Sequence, residues 1–177
     1  PSVIVDIKSI DETRELKKNA DGSYTIGAAV AGAEAHERED ITADWPGIIE
    51  AWDLIGSTQI QGRASLGGNL CNASPAGDSV PAMVAAGMTA NIAGPDGRRT
   101  LPVEDVTAGP GKTNLKKGEF IVSFNLPAKS SNGGDAYLRL IPRTEMDIAV
   151  VGCGVALTLD DSGTVTSAKV SLGAVAA

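Results

Sequence analysis

The residues with the most chemistry to offer lie in one stretch, Gly62-Arg63-Ala64-Ser65-Leu66-Gly67-Gly68-Asn69-Leu70-Cys71-Asn72-Ala73-Ser74-Pro75-Ala76-Gly77-Asp78. Paired glycines allow positive φ and remove side chains that would keep a ligand off the main chain. Ser65, Asn69, Asn72 and Ser74 add donors and acceptors, and Asp78 adds a carboxylate. Such a set suits the diphosphate and ribose of a nucleotide. It also suits an ordered surface loop that satisfies its own turns through Asx and Ser hydrogen bonds. Either way the composition predicts a loop. Gly, Ser, Asn and Asp are poor in helix interiors, and Gly, Asn and Asp are depleted from strands.

Little else in the chain points to side-chain catalysis. The single histidine, His36, sits among Glu34, Glu37 and Glu39 with no obvious Ser or Cys partner, and reads as part of a solvated helix face rather than a metal site. Cys71 and Cys153 fit no zinc or iron–sulfur spacing and form no disulfide framework, so both read as small buried thiols. The 177 residues are 42% hydrophobic, enough for one core or two small subdomains, with a formal net charge of −7 that argues against a nucleic-acid partner. No apolar run is long enough to span a membrane, and Pro1-Ser2-Val3 reads as the start of a strand rather than a signal peptide. A cytoplasmic location is the expectation.

The elements that must position the stretch follow from periodicity and turn signals. Val3–Ile7 is β-branched and reads as a strand. Asn19-Ala20-Asp21-Gly22 is a turn, so residues 14–30 read as a hairpin whose second strand spans Ser23–Val30. Ala31–Glu39 has helical composition. A further helix starts at Trp45-Pro46-Gly47, places Ile48, Ile49, Trp52 and Ile55 on one face, and stops at Gly56. After the glycine-rich stretch, residues 81–87 read as a short apolar helix that Asp78 or Ser79 would cap. Met88–Ala93 and Arg98–Pro102 form a hairpin around Gly94-Pro95-Asp96-Gly97. Thr107–Lys117 reads as a loop with solvated lysines, and Glu119–Pro127 alternates as a strand. Lys129–Asp135 reads as a linker, which divides the chain into residues 1–128 and 129–177. Tyr137–Ile141 is a strand, Arg143–Ala149 a helical turn, and Val150–Leu159 with Thr164–Leu172 a hairpin. Antiparallel hairpins with helices on one side define an α+β protein.

The string Gln61-Gly62-Arg63-Ala64-Ser65-Leu66-Gly67-Gly68-Asn69-Leu70, followed by Asn72-Ala73-Ser74-Pro75-Ala76-Gly77-Asp78-Ser79, resembles the second FAD-binding motif of the molybdenum hydroxylases. This is the xanthine dehydrogenase and aerobic carbon monoxide dehydrogenase group, and the likeness is to its medium, or flavoprotein, subunit. Tyr24–Val30, Tyr137-Leu138-Arg139, Arg143 and Met146-Asp147-Ile148-Ala149 extend the resemblance over nearly the whole chain. Its implied fold is the second subdomain of the two-part, PCMH-type FAD-binding fold, plus the start of the C-terminal flavoprotein domain. Its implied function is electron transfer: from a molybdenum cofactor on a large subunit, through 2Fe-2S clusters on a small subunit, to FAD and then an external acceptor. The protein would bind, orient and tune the flavin, with no catalytic side chain and no metal of its own.

By the same resemblance, Ser65, Gly67, Gly68 and Asn69 face the diphosphate, with Cys71 and Asn72 in the same motif, and Asp78 accepts from the ribose hydroxyls. The main chain at Phe120 and Ile121 lies near the flavin ring, and Arg139 is the basic residue beside it or else a surface arginine lying along the sheet. Ala31 stands where the family often has threonine. The family's upstream Ala-Gly-Gly-type loop does not precede Pro1, and its C-terminal helices do not follow Ala177, so weak or absent FAD binding is expected of the chain alone. A scaffold fragment without flavin and a stand-alone FAD-linked oxidase are the competing readings.

Overall fold

The computed structural model describes residues 2–175. Its centre is the strand formed by Phe120–Leu126, buried along nearly its whole length. A hairpin lies on either side of it. On one side are β1 (Leu16–Lys18) and β2 (Tyr24–Gly27), and on the other β3 (Thr89–Gly94) and β4 (Gly97–Pro102). Two very short strands, β5 (Thr107–Gly109) and β6 (Lys112–Thr113), precede the central strand, which is therefore β7. The five-stranded sheet runs β1-β2-β7-β3-β4, antiparallel throughout. Both hairpins match their turn signals; β2 is shorter than expected, and the expected loop before β7 carries the β5–β6 ladder.

Six helices lie between the first and second hairpins: α1 (Gly32–His36), α2 (Glu39–Asp44), α3 (Pro46–Asp53), α4 (Thr58–Gln61), α5 (Leu66–Asn72) and α6 (Ser79–Ala85). Helix α3 starts on Pro46, whose fixed φ suits a first helical position. It buries Ile48, Ile49 and Trp52, and Gly56 closes the turn after it at φ +70°. Trp52 is 1% exposed, the core anchor that its spacing indicates.

The last three strands, β8 (Gly133–Leu140), β9 (Val151–Leu159) and β10 (Val165–Gly173), form a separate antiparallel sheet in the order β10-β9-β8. One face packs on α3 and α6, and glycines make the approach possible. A Cβ on Gly154 would lie 2.5 Å from the Pro81 carbonyl oxygen, and one on Gly47 would lie 2.8 Å from the Ala136 main chain.

Several expectations need correction. Val3–Ile7 forms no strand: it has no sheet partner, and Asp6 instead caps a 3-10 turn at Ile7–Ser9 by accepting from the Lys8 N–H at 2.9 Å. The glycine-rich stretch is not loop throughout, because α5 occupies its middle. Leu66 and Leu70, four residues apart, are both buried, and Ser65 caps the helix by accepting from the Gly68 N–H at 3.2 Å. That packing and cap outweigh the poor propensity of two glycines. Ala73, at φ 49°, ends the helix in the left-handed region.

Asp78 does not cap α6; the Asn69 side-chain oxygen Oδ1 takes that role, accepting from the Ser79 N–H at 3.2 Å. The linker expected over Lys129–Asp135 ends early, since β8 begins at Gly133. Residues 143–146 form bends and residues 147–149 are irregular, so no helical turn forms there. Most of that segment is exposed, so it has no face to pack a helix with. The Arg143–Asp147 ion pair forms there even so, at 2.9 Å.

Candidate functional site

A concavity of about 320 Å³ opens where the start of α5 meets the ends of β2 and β7. Six of the ten cofactor-binding candidates line it: Ser65, Gly67, Gly68, Cys71, Phe120 and Ile121. The two glycines act differently. A Cβ on Gly67 would come within 2.5 Å of the Ala28 carbonyl oxygen, so glycine there lets α5 dock on the segment leaving β2. A Cβ on Gly68 would meet only the Ser65 hydroxyl at 3.3 Å and otherwise enter open space. Gly68 therefore leaves main chain bare at the concavity, the feature a bound group needs for close approach.

The remaining wall divides by chemistry. Phe120, Ile121, Leu115 and Val5 are apolar, while Ser65 and Lys8 bring a hydroxyl and an ammonium. Glu119 is engaged elsewhere: Arg99 lies 2.8 Å from its carboxylate and the Lys116 N–H donates to it at 2.6 Å. Those two contacts hold the Glu119 carboxyl down at about 2. An apolar wall beside donors and bare main chain fits a ligand with an aromatic ring and a phosphate group, as FAD has.

The other four candidates lie outside this lining. Asn69 accepts from the Ser79 hydroxyl at 2.7 Å, besides capping α6. Asn72 is exposed at the last position of α5. Asp78 and Arg139 pair with each other at 2.9 Å. Arg139 is no surface arginine, because its side chain is 7% exposed and also donates to the Leu54 carbonyl at 3.1 Å. The Tyr137 hydroxyl donates to Asp78 at 3.3 Å. Burial raises the Asp78 carboxyl above the usual carboxylate range, against the pull of Arg139 and Tyr137.

Neither cysteine is a buried core thiol. Cys71 is exposed, facing the concavity, and Cys153 is half-buried on β9; both are free. His36 lies on the surface with its Nδ1 2.7 Å from Asp53. Among the described residues no cluster of His, Cys, Asp and Glu could hold a metal ion. Also among them, no helix is long and apolar enough to cross a membrane. Sequence reasoning missed Val5, Asp6, Ile7, Lys8, Leu115 and Glu119 as parts of the wall. Ala28 and Ala29 belong to the Tyr24–Val30 segment that the resemblance brings up to the flavin.

The α+β fold and the lined concavity suit a nucleotide-binding class of protein, and comparison with known proteins names the family. Residues 1–129 match the family described as the FAD binding domain in molybdopterin dehydrogenase, and the chain belongs to that family. Residues 136–177 match the CO dehydrogenase flavoprotein C-terminal domain. A putative xanthine dehydrogenase FAD-binding subunit of Escherichia coli K12 is 30% identical over 174 residues, covering 98% of this chain and 59% of that protein. The carbon monoxide dehydrogenase medium chain of Hydrogenophaga pseudoflava is 29% identical over 176 residues, covering 99% of this chain and 60% of its own length. A carbon monoxide dehydrogenase structure from the same organism, lacking the Mo-pyranopterin moiety, superposes with a TM-score of 0.87, covering 95% of this chain and 57% of that one at 29% identity. The chain thus spans about three fifths of the length of these relatives.

Proposed function

We propose that this chain is the FAD-binding, electron-transferring part of a molybdenum hydroxylase, an oxidoreductase complex. The carrying observation is the concavity in which Ser65, Gly67, Gly68, Cys71, Phe120 and Ile121 meet. When bound, FAD supplies one- and two-electron redox chemistry, and the chain has to hold and tune it. Gly68 and Ser65 bring main chain and hydroxyl to the cofactor, and Phe120 and Ile121 give the ring an apolar wall that excludes water. Asp78, Arg139, Asn69 and Asn72 belong to the same reading: Asn69 and the Asp78–Arg139 pair hold the segment after α5 in place, and Asn72 borders it. An iron–sulfur small subunit would deliver electrons that originate at a molybdopterin large subunit, and the complex would be cytoplasmic. Residues 1–128 form the FAD-binding part and residues 129–177 begin the C-terminal domain.

The test is an absorption spectrum of the purified chain before and after addition of FAD. Oxidised-flavin bands that appear on the protein in excess FAD, held weakly by this chain alone, are the expected result. Their absence in excess FAD would overturn the reading and leave a scaffold role.

A further inference from the structure

The concavity contains a charge that the glycine-rich stretch does not supply. Lys8, in the 3-10 turn after Asp6, is half-buried and lines the wall. Its Nζ donates to the Ala29 carbonyl at 2.7 Å, and the neighbouring Ala28 is the residue against which Gly67 packs. The ammonium is thereby fixed beside the first turn of α5. It is the one cation among the described lining residues.

No carboxylate neutralises it by direct contact. The two acids in the wall are occupied: Asp6 accepts from the Lys8 N–H at 2.9 Å and from Arg63 at 3.4 Å, and Glu119 holds Arg99. An ammonium has three donors, and Ala29 is its one protein acceptor among the described residues. Burial lowers the Lys8 pKa, Arg63 and Arg14 lower it further, and Glu34 and Asp6 pull the other way. A half-buried ammonium with spare donors is stabilised by an anion in the concavity.

We propose that Lys8 is an anion-holding residue of this site and binds the diphosphate of the nucleotide that the concavity takes. The assignment rests on the cofactor reading above. It goes beyond that reading by naming the charge that recognises phosphate.

The test uses the 177-residue chain, Lys8→Met, and Lys8→Gln, which keeps a donor for the Ala29 carbonyl without the charge. FAD, ADP and riboflavin are titrated by calorimetry at low and high salt, with melting curves alongside. Both variants should lose about tenfold in affinity for FAD and ADP at low salt, where charge-assisted bonds to phosphate count most. They should also show a weaker salt dependence, and bind riboflavin, which has no phosphate, as the wild type does. FAD and ADP affinities unchanged in both variants overturn the assignment and leave the cofactor reading standing. An equal loss for riboflavin also overturns it, since Lys8 then only shapes the cavity. A wild-type chain that binds neither FAD nor ADP removes the cofactor reading and the assignment with it.

Discussion

Gly67 and Gly68 are adjacent glycines needed for different reasons, and substitution should separate the two. Gly67→Ala drives a methyl group into the Ala28 main chain, where nothing flexible can yield. It should cost about 1–3 kcal/mol, as overpacking does, and lower the melting temperature. Gly68→Val meets open space instead, so its thermal midpoint should move little while FAD titration shows weakened binding. Equal effects on midpoint and affinity in both variants would contradict the separation. Glu119 gives a pH test. Its folded pKa of about 2 lies below the ordinary value of 4.5, so its stabilising contribution is present above pH 4.5 and disappears as pH falls toward 2. Wild type and Glu119→Gln should therefore differ in stability at neutral pH and converge in strong acid. A constant gap down to that pH would rule out the Arg99 pairing as the cause. Asp78, raised by burial, has the opposite sign: its contribution falls as pH rises through its folded pKa.

Between elements, small polar contacts set the geometry of the site. The Ser65 hydroxyl caps α5, and the Asn69 side-chain oxygen reaches across to cap α6. Side-chain caps of this kind contribute about 1 kcal/mol each. Asn69→Ala should cost about that much stability, read as a lower melting temperature, and leave the Ser79 hydroxyl without its partner. The glycine-rich stretch thus positions itself: Ser65 orders the helix it begins, and Asn69, the fourth residue of that helix, orders the next. This also explains why the stretch was legible as a functional region and illegible as a structure. Its residue types advertise turns and exposed main chain. The helix arises from Leu66 and Leu70 being buried together, which local propensity does not report.

Across the whole molecule, the Asp78–Arg139 pair joins the segment matching the FAD-binding domain to the segment matching the C-terminal domain. Arg139→Met would leave Asp78 buried without its cation, a defect that typically costs 3–5 kcal/mol, so roughly that loss is expected in chemical denaturation. A change below about 1 kcal/mol would show that the pair is dispensable to the junction. The C-terminal sheet also turns an apolar face outward, with Leu138 77% and Val170 61% exposed. Such a patch binds the dye ANS, and replacing both residues by lysine should reduce that signal without unfolding the sheet.

Hairpins, the α3 face and the two-sheet division were set by local signals: turn residues at fixed offsets, apolar spacing, and prolines and glycines at element ends. The resemblance carried by residues 61–79 led to the family. Tertiary structure alone decided the rest. It left Val3–Ile7 without a strand partner, because a strand needs a neighbour that no local pattern supplies. It turned Asp78 toward Arg139, sixty-one residues away in the chain. It brought Lys8 and Glu119 to the wall that Ser65 and Gly68 line. Contacts between residues so far apart in sequence exist only after the chain has folded back on itself, and the segments on either side do not encode them separately.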